Sequence, residues 1–184
     1  MQIDLTEGLL TEIEYHPSPN QDPRPKGEDV TGIVIHNISL PPGEFGGGWI
    51  DDLFLNKLDP QAHPYFEQIA DLRVSTHLLI RRNGDVIQYV PFHQRAWHAG
   101  VSNWDGREGC NDFTIGIELE GCDDKNFEPP QYQQLARVIK LLCRNYPNLS
   151  PETIKGHQDI APDRKTDPGP HFDWANLSEL IMQA

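Results

Sequence analysis

A chain of 184 residues fits one domain with a sizeable core, and 37% hydrophobic with 23% charged residues is a soluble globular composition. With 28 acidic against 15 basic residues the net charge is −13, which argues against a nucleic-acid or an anionic-membrane partner, because both need a basic face. Three cysteines without CxxC spacing (Cys110, Cys122 and Cys143) argue against a disulfide scaffold or a cysteine zinc site and fit reduced thiols in a cytosolic protein.

Met1 to Gly8 has neither the basic nor the apolar region of a signal peptide, so the expectation is a cytoplasmic protein. No apolar run approaches the roughly 18 residues of a membrane span. Residues 16–29 are rich in proline and charge and read as a surface loop. Thr31 to Asn37 is a β-branched run that predicts a buried strand ending in two polar residues, His36 and Asn37. The glycine-rich stretch Pro41 to Gly48 lacks the lysine and spacing of a phosphate-binding loop. Trp49 to Leu58 carries Ile50, Leu53, Phe54 and Leu58 at helical spacing. Ser75–Arg81 and Asp85–Val90 flank Asn83-Gly84, a hairpin signal. Thr114 to Glu120 alternates as a strand. Pro130 to Asn145 is the longest predicted helix, with an apolar stripe of Leu135, Val138, Ile139, Leu142 and Cys143. Ile154 to His157 predicts a short strand, and Asp173 a capped final helix through Ile181. These elements predict an α/β protein: one domain over residues 1–184, with a mixed central β-sheet and flanking helices.

The segment Gly156 to Pro170 follows the last predicted strand and carries His157, Lys165 and several carboxylates between three prolines. Fixed φ angles let such a loop aim polar groups at low entropic cost. His36, Glu118 and His157 stand at predicted strand ends, which a central sheet can bring to one edge. Two histidines with one carboxylate, Asp167, make a zinc ligand set with a fourth position open. Glu118 then remains as general acid or base, and Lys165 as a cation for an oxyanion. Each residue also has a plainer reading. Strand histidines are commonly hydrogen-bonded core residues, Glu118 between Ile117 and Leu119 would ordinarily face solvent, and Glu120 shares its face. His77 and His98 are competing metal candidates, while His16, His63, His93 and His171 read as surface or packing residues. Arg73, Arg81, Arg82, Arg107 and Lys165 could build a local basic pocket.

Four stretches (Val34–Gly43, Arg95–Ser102, Asn111–Gly121 and Gly156–Pro170) together closely resemble the AmpD-type 1,6-anhydro-N-acetylmuramoyl-L-alanine amidases. These are zinc amidases related to phage lysozyme-type amidases and peptidoglycan recognition proteins. The likeness runs over nearly the whole chain. It implies zinc on His36, His157 and Asp167, Glu118 as catalytic acid/base and Lys165 as transition-state cation. It further implies cleavage between anhydro-N-acetylmuramic acid and L-alanine in cytoplasmic recycling of cell-wall fragments. Trp97 would offer a face to the sugar, Arg73 and Arg107 would pair with stem-peptide carboxylates, and Asn37 would donate to the peptide. The expected partner is the anhydro-muropeptide substrate, with no obligate protein partner. One departure is Gly109, where the family commonly has a further arginine. The competing expectations are a lytic amidase acting on intact peptidoglycan and a peptidoglycan-binding protein without catalysis.

Overall fold

The computed structural model describes residues 1–183. Its strands in chain order are β1 (Ile3–Asp4), β2 (Leu9–Leu10), β3 (Glu14–Tyr15), β4 (Gln21–Pro23), β5 (Gly32–Ile38), β6 (Leu78–Ile80), β7 (Val86–Gln88), β8 (Gln94–Ala96), β9 (Asn103–Trp104), β10 (Arg107–Glu108), β11 (Thr114–Glu120) and β12 (Ile154–Gly156). The helices are α1 (Trp49–Phe54), α2 (Pro129–Asn145), α3 (His157–Ile160) and α4 (Trp174–Met182).

A six-stranded sheet of order β12-β5-β11-β6-β7-β3 forms the centre. The run β12, β5, β11 and β6 is parallel, and β7 is antiparallel to β6. A parallel sheet is covered on both faces, so its strands read as continuous apolar runs. Ile33, Val34, Ile35, Ile115, Ile117 and Leu119 are all fully buried, each contributing about 1.5–3 kcal/mol. Side-chain period two divides the faces. Ile33, Ile35, Ile115, Ile117 and Leu119 pack with Leu135, Val138, Ile139 and Leu142 of α2. Val34 faces the other way, towards Ala99, Phe113 and Ile160. By the same alternation His36, Gly116 and Glu118 lie on the face away from α2.

The helices start and stop for local reasons. Glu128 and Gln131 form a reciprocal cap with Pro129 at the first helical position of α2. Asp173 accepts the Asn176 N–H at 2.9 Å and caps α4, as expected. The Asn83-Gly84 turn joins β6 to β7, closed by the Arg81 N–H on Asp85 O at 2.8 Å.

Three sequence expectations need correction. α1 ends at Phe54, four residues short of Leu58, because Asn56 turns the chain with a φ of 59°; Leu58 is buried nonetheless. Residues 16–29 are no plain surface loop. Ser18 and Asn20 are buried and bonded to Phe54 O and Val74 O, and β4 pairs with β8. Arg24 is largely buried and donates to the carbonyls of Phe92, Asn111, Asp112 and Thr114. Charge on a sequence suggests solvent, but this guanidinium finds its acceptors in backbone carbonyls. Finally, the last strand stops at Gly156, so His157 is not its end residue but the first residue of the short helix α3.

Candidate metal centre and cleft

β12, β5 and β11 are consecutive neighbours, so their carboxyl ends lie side by side, where open α/β sheets place their sites. His36 stands on β5, Glu118 is its register partner on β11, and His157 directly follows β12. Asp167 is tied to the same place through the Gln158 N–H, which donates to Asp167 O at 2.9 Å.

Three atoms converge there. His36 Nδ1 lies 2.9 Å from His157 Nδ1 and 3.1 Å from Asp167 Oδ2, and His157 Nδ1 lies 3.0 Å from the same oxygen. The triangle is near-equilateral. Ligands held at about 2.0–2.1 Å around a tetrahedral zinc stand roughly 3.3 Å apart, so the donor set has the scale of such a site. His157 Nε2 lies 3.1 Å from Ala99 O, which can only accept. His157 therefore carries its proton on Nε2 and turns the Nδ1 lone pair inward. Electron-rich atoms this close require a proton or a cation between them. These residues fit a divalent metal. Among the described residues, this is the group whose ligand atoms so converge.

Burial sets the electrostatics. His36 is 1% exposed, and burial, with His157 and Lys165 alongside, pushes it down to about 4 despite the neighbouring Asp167 carboxylate. Burial opposes the charge on Asp167, but the adjoining rings of His157 and His36 outweigh it and hold the carboxyl below the usual carboxylate range. Burial, and then the charge of Asp167, pushes the Glu118 carboxyl well above its ordinary value, with Lys165 opposing. Glu118 Oε2 is buried without a hydrogen-bond partner. Such an atom is costly to bury and is available to a reacting group.

The neighbouring acid is otherwise engaged. Glu120 accepts from the Gly46 N–H at 2.6 Å, the Arg82 N–H at 3.1 Å and Arg81 Nη1 at 3.3 Å. Period two leaves Glu118 and Glu120 equivalent in sequence; bonding separates them. The competing histidines also resolve. His77 accepts the Gly116 N–H on Nδ1, and its Nε2 meets Gln94 O, so both nitrogens are committed. His98 stands behind His36, its Nδ1 2.9 Å from His36 Nε2. His16 pairs with Asp51 and His171 with Asn126, away from the centre.

A cleft of about 540 Å³ opens over the centre, lined by His36, Asn37, Trp97, Glu118, Lys165 and Asp167 among others. A crevice of similar volume over Glu12, Arg81 and Arg137 carries no such ligand group. Trp97 is fixed by its Nε1–H on Asp22 at 3.1 Å, and Asp22 in turn by Arg95. Neither Arg73 nor Arg107 lines the cleft. Arg73 turns to Ala70 O and Leu72 O; Arg107 pairs with Glu28 and lies over the Phe113 ring. Arg164 lines it instead, its Nη2 donating to Ala99 O and Val101 O. Asn37 spends both Nδ2 hydrogens, on Asp123 Oδ1 at 2.7 Å and Pro168 O at 3.1 Å, so it offers a ligand an acceptor and no donor. Gly109 takes a φ of 71°, a left-handed conformation that favours glycine over an arginine there.

Residues 26–170 match the family described as N-acetylmuramoyl-L-alanine amidase. The chain belongs to that family. This amidase is therefore a hydrolase acting on an amide bond. It is 59% identical over 179 residues to the 1,6-anhydro-N-acetylmuramyl-L-alanine amidase AmpD of Escherichia coli (strain K12), covering 97% of each chain. Among solved structures it superimposes on a Se-Met derivative of AmpD with a TM-score of 0.95 at 58% identity, covering 98% of this chain and 99% of the other. The amidase AmiD from E. coli, solved with its substrate anhydro-N-acetylmuramic acid-L-Ala-D-gamma-Glu-L-Lys, matches with a TM-score of 0.61 at 31% identity, over 88% of this chain and 62% of the other.

Proposed function

We propose that this amidase hydrolyses the bond between 1,6-anhydro-N-acetylmuramic acid and L-alanine of muropeptides, with zinc held by His36, His157 and Asp167. The observation that carries the reading is the triangle of His36 Nδ1, His157 Nδ1 and Asp167 Oδ2 on the floor of the cleft, beside the unpartnered Oε2 of Glu118. The relatives named for the anhydro-sugar substrate match along almost the full chain, which supports this substrate and one amidase domain over residues 1–184.

Zinc bound to two histidines and a carboxylate is a Lewis acid that lowers the pKa of water and polarises a carbonyl. The protein's own residues do the rest. Glu118 takes the proton of the attacking water on Oε2 and returns it to the leaving amine of L-alanine. Burial raises its carboxyl above the ordinary range, which makes the ionised form a stronger base for the first half of that task. Lys165 lines the same cleft and meets the negative charge that develops on the carbonyl oxygen. Trp97, held by Asp22, presents an apolar face to the bicyclic sugar. Asn37 accepts from a peptide N–H, and Arg164 replaces Arg73 and Arg107 as the cation for a stem-peptide carboxylate.

We further place the enzyme in the cytoplasm, in the recycling of cell-wall fragments. The free thiols of Cys110, Cys122 and Cys143 suit a reducing compartment. The test is to incubate the protein with anhydro-muropeptide, with the same peptide on reducing N-acetylmuramic acid, and with intact sacculi. Release of stem peptide far faster from the anhydro substrate supports the proposal. Comparable kcat/KM on both sugars together with digestion of sacculi would instead make this a lytic amidase, and no release from any of them a binding protein.

A further inference from the structure

Behind the proposed metal ligands runs a chain of hydrogen bonds whose direction is fixed by where it ends. Thr114 Oγ1 lies 2.6 Å from Cys110 O. A carbonyl only accepts, so the single hydroxyl proton of Thr114 is spent there. Thr114 Oγ1 is also 3.1 Å from His98 Nε2 and can only accept in that bond. His98 therefore carries its proton on Nε2. In the neutral ring this leaves Nδ1 as a lone pair. His98 Nδ1 faces His36 Nε2 at 2.9 Å, so His36 must be the donor. The ring of His36 then presents a bare Nδ1 to His157 and Asp167.

The position of the His98 ring is set as firmly as its proton. Asn111 Oδ1 accepts the backbone N–H groups of His98 and Ala99 at 3.1 and 2.8 Å. The ring lies directly against the backbone of β11 at Gly116, where an added Cβ would stand 2.5 Å from His98 Cγ. Any other residue at 116 would push the ring away from His36.

We infer that His98 is a positioning residue for the metal centre: it accepts the Nε2 proton of His36, under the direction of Thr114 and Cys110 O, and so fixes the tautomer whose Nδ1 can ligate. This rests on the reading of His36, His157 and Asp167 as metal ligands. It gives roles to His98, Thr114 and Gly116, none of which holds the metal. His157 obtains the same service from Ala99 O, so the two histidine ligands are aimed by independent acceptors. Ligand tautomers fixed by an outer partner are general in zinc sites, and removing that partner typically weakens metal binding about 10–100-fold.

The test compares wild type with Thr114→Val, Thr114→Ser and His98→Phe. Zn²⁺ affinity is measured by competition with a chromophoric chelator, and long-range ¹H–¹⁵N spectra of the histidine rings are recorded on the same samples. Thr114→Ser keeps the hydroxyl and should match wild type, with the His36 proton on Nε2. Thr114→Val frees His98 to change tautomer and should weaken Zn²⁺ binding about 10-fold, with His36 Nε2 protonation lost or mixed. His98→Phe should weaken it by up to about 100-fold. If Thr114→Val and His98→Phe both bind Zn²⁺ within twofold of wild type and leave the His36 tautomer unchanged, the inference is overturned. Should His98→Phe fail to fold, the Thr114 pair decides alone. Should wild type bind no Zn²⁺, the metal reading itself fails, while the ring spectra still report whether His36 is protonated on Nε2.

Discussion

Glu118 and His36 are register partners on the adjacent parallel strands β11 and β5, so a buried carboxyl oxygen and a proposed metal ligand stand one interstrand step apart. Strand pairing holds the two backbones roughly 4.8 Å apart. Glu118 is thereby kept beside the centre but out of the ligand triangle, which is closed by Asp167.

This division of labour predicts the behaviour of Glu118→Gln. The variant should keep its metal, because Glu118 holds none. Its kcat should fall by about 10²–10⁴-fold, the range for general acid–base help. Metal content measured beside the steady-state rate checks this; loss of the metal with the mutation would make Glu118 a ligand.

Lys165→Ala should separate kcat from KM. The charge it meets exists only in the transition state, so kcat should drop more than KM rises, with metal retained. A change confined to KM would assign Lys165 to ground-state peptide binding.

Trp97 and Asp22 predict an effect at one remove from the chemistry. Asp22 accepts from Trp97 Nε1 and from Arg95, whose hydrogen bond holds the Asp22 carboxyl below its usual range. Asp22→Ala should release the indole and raise KM several-fold, with kcat nearly unchanged. For stability the sign is that of a depressed acid. The contribution of Asp22 is present above its unfolded pKa of about 3.9 and is lost as pH falls through the folded value. The wild-type and Asp22→Ala urea midpoints should therefore differ at pH 7 and converge in strong acid.

Histidine burial predicts a second acid sensitivity. His36 is pushed down to about 4, and burial drives His77 and His98 well below the usual range as well. Each is depressed when folded, so the unfolded chain binds more protons once the pH drops below about 6.5. Stability is then fully present above about 6.5 and falls as pH drops towards 4, each ring contributing a loss of up to roughly 1.4 kcal/mol for every pH unit. Chelator-treated protein should show a urea midpoint that declines steadily from pH 7 to pH 5. Glu118, raised when folded, opposes this trend as one group against three, so a midpoint that rises as pH falls would contradict the neutral rings.

The framework was legible in the sequence because apolar periodicity reports it directly. Strand β11 begins and ends where Thr114 to Glu120 alternates, and α2 carries the stripe through Leu142 that packs on Ile115 and Ile117. His36, Glu118 and His157 could be drawn together because parallel strands align their carboxyl ends. What pattern could not show was how polar groups are spent. Asn37 reads as a donor until its two hydrogens are found on Asp123 and Pro168. Arg107 reads as a carboxylate binder until it is seen on Glu28, and Arg24 reads as surface until its carbonyl partners are seen. His98 is a metal candidate by residue type; only its bond to Thr114 makes it a partner of a ligand. These are contacts between distant segments, and single-sequence pattern carries no signal of them.

A zinc titration of chelated, demonstrably metal-free protein assayed on anhydro-muropeptide, with Asp167→Ala alongside, decides whether His36, His157 and Asp167 hold a catalytic zinc. The wild type should be inactive without metal and recover linearly, reaching full activity at about one zinc per chain. Asp167→Ala should neither retain zinc nor recover, since removing one of three protein ligands weakens the whole set. Full activity of the metal-free wild type, or an Asp167→Ala enzyme that binds zinc as tightly as the parent, would contradict the account.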